Sequence, residues 1–534
     1  MYKLVFTLTQ RSIPTAVTVA NMPSASQVYR STRSSDKETK SFEDAVIQGL
    51  ATDGGLFIPP TIPQVSQETL FGKWAHLSFQ ELAFEIMRLY INPQEIPDAD
   101  LKTLVANSYS TFRAEDVTPL AKNVTGNDEN LHVLELFHGP TYAFKDVALQ
   151  FVGNLFEYFL QRNNKSLPED QKKKITVVGA TSGDTGSAAI YGLRGKKDVS
   201  VFILYPTGRI SPIQEEQMTT VPDKNVQTLS VKGTFDNCQD IVKAIFGDKE
   251  FNSKHNVGAV NSINWARILA QITYYYYSFF KATGGKNEKV KFVVPSGNFG
   301  DILAGYFAKK MGLPVEKLVI ATNANDILDR FLKSGTYERS DEVAATLSPA
   351  MDILISSNFE RLLWFLAREY AADGDDCKAG ETVNQWFQQL KTEGKFQVSQ
   401  AMINGALKDF DSERVSNEQT IETIKKVYEV SQNPKHYIID PHTAVGVCAT
   451  ERLIAADNDK SIHYITLSTA HPAKFADAVN KALASFPEYS FEKDVLPAEL
   501  KKLSTLEKRL KFVEKPDVEL VKAAIEEELQ KMDL

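Results

Sequence analysis

Cysteine is scarce in this chain: Cys238, Cys377 and Cys448 are the only three among 534 residues. They are odd in number, far apart and without metal-ligand spacing. That excludes a disulfide framework and points to a reducing compartment. Long apolar runs are also lacking; none approaches the ~18 residues of a membrane span, so no membrane is expected as a partner. Positive charge is not in excess. With a net charge of −8 and no basic stripe interleaved with aromatics, nucleic acid is not an expected partner either. No repeat of fixed period and no low-complexity tract occurs. The first 35 residues lack Asp and Glu but carry Lys3, Arg11, Arg30 and Arg33. That composition is like a mitochondrial transit peptide. Only two positive charges precede Met22, however, so the expectation is an unstructured extension over 1–22, translation from Met22 and a cytoplasmic protein. Nothing implies an oligomer, and a monomer is expected.

What is present is an ordinary globular composition, 43% hydrophobic and 24% charged, in a chain long enough for about two to four domains. One stretch stands out: His138-Gly139-Pro140-Thr141-Tyr142-Ala143-Phe144-Lys145-Asp146. A Gly-Pro pair turns the chain, and Lys145 then heads a helix whose apolar residues recur at Phe151, Val152, Leu155, Phe156 and Phe159. Lysine is seldom buried. Lys145 is either a surface residue laying its stem along apolar neighbours or a desolvated amine able to form a Schiff base.

Residues 51–60 make a glycine turn into an extended apolar segment, followed by helical patterns over 79–89 and 98–112, the second with Asp98 as the expected N-cap. This section, 23–115, reads as a packing domain or lid. Beyond it the texture becomes strand, glycine loop, helix, strand. Residues 175–179 and 199–204 are strands around the loop Thr181-Ser182-Gly183-Asp184-Thr185-Gly186. Residues 290–294 and 318–321 flank Ser296-Gly297-Asn298-Phe299-Gly300, and a further strand at 464–467 enters Ser468-Thr469-Ala470-His471. The expected class is α/β, with two open, mostly parallel sheets and flanking helices spanning 116–500. The aromatic run at 274–277 is expected to pack, and residues 501–534 to form a charged helical tail with a solvated face.

A glycine turn between a strand and a helix N-terminus offers backbone N–H groups and the positive end of the helix dipole to an anion. Two such loops occur, although any tight strand-to-helix turn needs glycine. Neither has the lysine of a P-loop or the spacing of a dinucleotide fold. Two anion sites and a sheltered lysine suit a ligand with a phosphate and an aldehyde, and a substrate with a carboxylate. Pyridoxal 5'-phosphate with an amino acid meets those requirements.

The chain resembles the threonine synthase family, in its fungal and bacterial branch, among pyridoxal-phosphate enzymes of fold type II. The resemblance rests on Asp53-Gly54-Gly55-Leu56-Phe57-Ile58-Pro59, the lysine stretch above and Gly179-Ala180-Thr181-Ser182-Gly183-Asp184-Thr185-Gly186. It also rests on Asn261-Ser262-Ile263-Asn264-Trp265-Ala266-Arg267 and Asp440-Pro441-His442-Thr443-Ala444-Val445-Gly446. The resemblance implies that Lys145 holds the cofactor and that Gly297, Asn298, Phe299 and Asp301 contact it. The side chain of Asp301 has the alternative of capping its helix. By the same resemblance Thr469 faces the pyridine nitrogen, and Ser182, Asp184 and Thr185 lie at the amino-acid end of the substrate. Arg267 and His138 are candidates for the substrate phosphate, the alternative being that Arg267 pairs with an acid.

The implied reaction converts O-phospho-L-homoserine and water to L-threonine and phosphate, by γ-elimination and then addition of water at the β-carbon. The competing readings are a related lyase yielding 2-oxobutyrate and ammonia, a dehydratase, and a catalytically silent binding module. Asp184 speaks against a dehydratase, which usually carries Asn there. A silent homologue would have no chemical need for Lys145. The purified protein is expected to be yellow, and Lys145→Ala to abolish the visible band in its absorption spectrum.

Overall fold

The computed structural model of the chain describes residues 27–126, 129–431 and 436–532. The extension expected over 1–22, with its question of a transit signal, lies outside the described residues. Within them no helix is long and apolar enough to cross a membrane.

In chain order the strands of the two main sheets are β1 (Leu120–Lys122), β2 (Leu131–Glu135), β3 (Ile175–Ala180), β4 (Val199–Pro206), β5 (Val226–Val231), β6 (Val257–Gly258), β7 (Lys289–Pro295), β8 (Val315–Thr322), β9 (Phe410–Arg414), β10 (Ile462–Ser468) and β11 (Lys511–Val513). The larger sheet has six strands ordered β9-β8-β7-β10-β2-β1, parallel except for the edge strand β1. The smaller has five, β11-β5-β4-β3-β6, all parallel. A parallel sheet covered on both faces needs near-continuous apolar strands. The run Val199–Pro206 meets that need and is buried at every position.

The helices that matter for the site are α1 (Lys145–Asn164), α2 (Asp184–Leu193), α3 (Pro212–Thr219), α4 (Trp265–Thr283) and α5 (Gly300–Lys310). Along α4 every residue but Lys281 is buried, so the helix is a central post. The N-terminal section packs on it through Tyr29, whose ring lies 5.9 Å from that of Trp265. The run Tyr274-Tyr275-Tyr276-Tyr277 packs as expected but also works as a set of donors. Tyr274 and Tyr275 donate to Asp301, Tyr276 to the Ala308 carbonyl and Tyr277 to Asp116.

Two expectations need correction. Asp98 is the first residue of its helix, Asp98–Tyr109, and Pro97 is the cap, with no side-chain capping bond. Proline is extended ahead of a helix and tolerates the boundary, so the acid moves into the first turn, where the dipole favours it. The tail is not helix alone. After the short helix Ala498–Leu503, strand β11 pairs in parallel with β5, and the helix Val518–Lys531 buries Val521, Ala524 and Ile525. The strand is only three residues long, too short for periodicity to separate it from the charged residues around it.

Helices α1 and α2 touch backbone to backbone. A Cβ on Gly153 would lie 1.8 Å from the Gly192 carbonyl oxygen, and one on Gly192 would lie 2.4 Å from that of Leu149. Because α1 starts at Lys145 and α2 at Asp184, this contact sets how far apart those two side chains stand. Gly153→Ala is therefore expected to destabilise the fold by about 1–3 kcal/mol, seen as a lower midpoint in chemical denaturation.

Candidate active site

The loops that leave β2, β3, β7 and β10 all open at the carboxyl ends of parallel strands, the edge at which open α/β sheets bind ligands. Strand β10 lies between β7 and β2 in the larger sheet. Beyond its end, the Thr469 carbonyl accepts the Phe144 N–H at 2.8 Å and the Tyr142 carbonyl accepts the His471 N–H at 3.0 Å. Those bonds bring the start of α1 against the residues after β10, so Lys145 stands beside Thr469.

Lys145 is 9% exposed and sits at the positive end of its own helix. Burial pushes its ammonium down to about 8; Lys474 and Arg267 deepen the fall, and Asp184 and Asp146 oppose it. The helix dipole disfavours a cation there as well. Asp146 does not face out of the helix. Its carboxylate accepts the Thr141 N–H and hydroxyl, each at 2.7 Å, and burial pushes it up to about 6 against those bonds. Gly139 has to be glycine for this turn, since a Cβ would lie 2.4 Å from that of Asp146.

Across from Lys145, Asp184 opens α2. Its Oδ2 is 3.9 Å from Lys145 Nζ, while Oδ1 accepts from Lys474 Nζ at 2.8 Å and Gln214 Nε2 at 2.9 Å. Burial acting alone would raise this carboxyl, but Lys474 and Lys145 hold it well below the usual carboxylate range. Gln214 reaches it because Gly183 has φ +148° and no side chain; a Cβ there would lie 2.5 Å from Gln214 Oε1. Thr181 Oγ1 accepts the N–H groups of Gly183 and Gly186, tightening the turn. Ser182 is exposed and Thr185 half-buried at its mouth.

In the second glycine loop the carbonyls are tied back. Gly297 O accepts from Ser356 Oγ at 2.7 Å, and Asn298 O accepts from the Asn358 N–H and Nδ2 at 3.0 and 3.1 Å. Among the described residues nothing accepts the N–H groups of Gly297, Asn298 or Phe299. They stand free at the N-terminus of α5, where Phe299 holds φ +63° and packs its ring on Phe359 and Phe410. Asn298 itself is exposed.

The remaining expectations divide. Arg267 is 3% exposed, donates through Nη1 to the Val260 carbonyl at 3.1 Å, and leaves Nε without a partner. It forms no ion pair among the described residues, so the structural acid partner is not found. His138 is not joined to it: the ring pairs with Glu135 at 2.7 Å and stacks on Phe137. The Asp301 side chain turns away from the loop to Tyr274 and Tyr275, does not cap α5, and keeps Oδ2 unpartnered. Burial pushes it up to about 6.

Several residues that complete the site escaped the sequence reading. Lys474 is fully buried, and Gln217 Nε2 donates to the Thr141 carbonyl at 3.1 Å. Arg361, also fully buried, donates to the carbonyls of Phe57 and Ile263 and so ties the N-terminal section to the Arg267 segment. Only Lys474 had a usable signal. It lies between Ala473 and Phe475, a lysine in an apolar setting like that of Lys145.

Family models match most of the chain. A "Threonine synthase N terminus" model covers residues 28–109, a "Pyridoxal-phosphate dependent enzyme" model 112–396, and a "Threonine synthase, C-terminal" model 443–525. The threonine synthase of Saccharomyces cerevisiae is 83% identical over 514 residues, 96% of this chain and all of that one. The chain belongs to the threonine synthase family. A crystal structure of the yeast threonine synthase matches with a TM-score of 0.93 at 82% identity, over 95% of this chain and all of that one. The threonine synthase from Brucella melitensis, solved with pyridoxal phosphate bound, matches with a TM-score of 0.83 at 40% identity, over 94% and 99% of the two chains.

As a member of this pyridoxal-phosphate-dependent family, the protein presents a donor set that fits the cofactor. It has a buried amine of lowered basicity, three N–H groups at a helix N-terminus that are free among the described residues, and Thr469, whose backbone holds the residue before Lys145. Attachment of an aldehyde needs the neutral amine. The rate at which pyridoxal phosphate attaches to cofactor-free protein is expected to rise with pH and level off above about 8. An exposed lysine would level off only near about 10.4; stopped-flow absorbance against pH checks this.

Proposed function

We propose that the protein is a threonine synthase converting O-phospho-L-homoserine and water to L-threonine and phosphate, with pyridoxal phosphate held by Lys145. The observation that carries this reading is the grouping of Lys145, Asp184, Thr469 and a buried, acid-free Arg267 at one strand edge, in a chain of this family. Pyridoxal phosphate, when bound, supplies a carbonyl for amines and an electron sink for the carbons of the amino acid.

The protein's own residues divide the work by position. Lys145, once its nitrogen is free, is a base of pKa about 8 and can hold and move the proton of the substrate α-carbon at Nζ. The N–H groups of Gly297, Asn298 and Phe299, free among the described residues, would hold the cofactor phosphate. Thr469 would offer the pyridine nitrogen a neutral hydroxyl, which does not oblige it to stay protonated. Ser182, Thr185 and the amides at the start of α2 receive the substrate carboxylate. Arg267 takes the substrate phosphate: a buried guanidinium with no carboxylate partner is costly unless an anion joins it. His138 has a weaker claim, because Glu135 already engages it, and Asp301 acts on the phosphate loop through the tyrosines. The domain division 23–115, 116–500 and 501–534, with a monomer, completes the reading.

In the reaction the bond from Cγ to the phosphate oxygen breaks, a water oxygen bonds to the β-carbon, and inorganic phosphate leaves. Incubation with O-phospho-L-homoserine is expected to yield threonine and phosphate in equal amounts; 2-oxobutyrate and ammonia would identify the competing lyase. Arg267→Ala is expected to keep the cofactor spectrum and raise KM at least about tenfold, the loss of a charged hydrogen bond of about 1.5–3 kcal/mol. An unchanged KM would remove Arg267 from the phosphate site.

A further inference from the structure

We propose that Lys474 is a positioning residue that holds Asp184 off Lys145, so that the site keeps a buried carboxylate near the reactive amine without a direct hydrogen bond to it. The proposal deepens the reading above and rests on it for the role of Lys145. Lys474 sits in the short helix Pro472–Phe475 after β10, and its side chain is completely buried. Its ammonium has two acceptors, Asp184 Oδ1 and the Thr141 carbonyl, both at 2.8 Å. Gln214 Nε2 takes the same Asp184 oxygen at 2.9 Å. Those two donors turn the carboxylate so that only Oδ2 faces Lys145, at 3.9 Å, beyond hydrogen-bond length.

A buried carboxylate draws in whatever cation it can reach. Without Lys474, the nearest is Lys145. Direct contact there would stabilise the ammonium and remove the free amine that the chemistry needs. The balance of charge makes the same point. Lys145 is faced by Asp184 on α2, Lys474 after β10, Arg267 on α4 and Asp146 on its own helix. Asp184 is faced by Lys474, Lys145 and the neutral Gln214 of α3. Two cations therefore offset two carboxylates around Lys145, and loss of Lys474 leaves the surroundings net negative. The arrangement also spans the molecule: Asp184 and Gln214 belong to the smaller-sheet half, Lys474 and Thr141 to the larger. Gln217 Nε2, donating to the same Thr141 carbonyl at 3.1 Å, fastens α3 to that half as well.

The test is a pH titration of the visible absorbance of the holoenzyme without substrate, in the wild type, Lys474→Met, Asp184→Asn and the double variant. The midpoint is expected to rise by about one pH unit in Lys474→Met, to fall by about as much in Asp184→Asn, and to move much less when Lys474→Met is added to Asp184→Asn, because the carboxylate that Lys474 holds is then gone. An unmoved midpoint in Lys474→Met, or single variants that move it in the same direction, overturns the proposal. If Lys474→Met fails to fold with its unpaired Asp184, the double variant, which removes both buried charges, is compared with Asp184→Asn. Closely similar midpoints in those two variants support the proposal, and a midpoint higher by about one unit in the double variant, which Lys474 could then produce only by its own charge on Lys145, overturns it. No substrate enters this titration, so a wrong substrate assignment would show in product analysis and leave this outcome standing.

Discussion

One carboxylate between two buried ammonium groups is the constraint on which the rest depends. Asp184 has water on almost no side, and Lys474 and Lys145 approach it from the other half of the molecule. Removing ions from water is costly, and the cost is recovered only with good geometry and satisfied hydrogen bonds. The two sheets therefore have to meet in one arrangement, with α2 and α3 against the loop that leads into α1. The paired glycines of α1 and α2 serve the same end, because any side chain at either would push Lys145 and Asp184 apart.

Polar groups around the amine follow a consistent logic of unmet need. In the loop before α5, carbonyls are consumed by residues 356–358 while N–H groups are left open. Among the described residues Arg267 is held by one carbonyl and leaves Nε without a partner. Donors without acceptors on two elements of the site suit a ligand rich in oxygen anions, as the phosphates of cofactor and substrate are. The two acids nearest the amine are, by contrast, already partnered: Asp146 by Thr141, Asp184 by Lys474 and Gln214.

Strand-loop-helix units and the lysine at the head of a long helix were legible because each is a local pattern of at least five or so residues. The strands at 175–180, 199–206, 289–295 and 462–468 lie where alternation and β-branched content put them. The tail strand was not legible: it is three residues, Lys511 to Val513, set in a charged stretch, and its partner is a strand some 280 positions earlier. Asp301 was read from its place beside a phosphate-type loop, yet its side chain answers to two tyrosines on another helix. His138 was read from its motif, and a glutamate three residues away claims it.

The sequence by itself determined the class of fold, the two anion-type loops and the lysine with an aldehyde chemistry open to it, because glycine turns, β-branched runs and helix starts are written in neighbouring residues. Only the tertiary structure decided what surrounds that lysine. Lys474 comes from 329 positions further on than Lys145, Asp184 from the opposite sheet, and Arg361 from a helix that binds the N-terminal section to the site. Their charges act through space over a few ångströms, and that separation is set by how sheets and helices pack, not by distance along the chain.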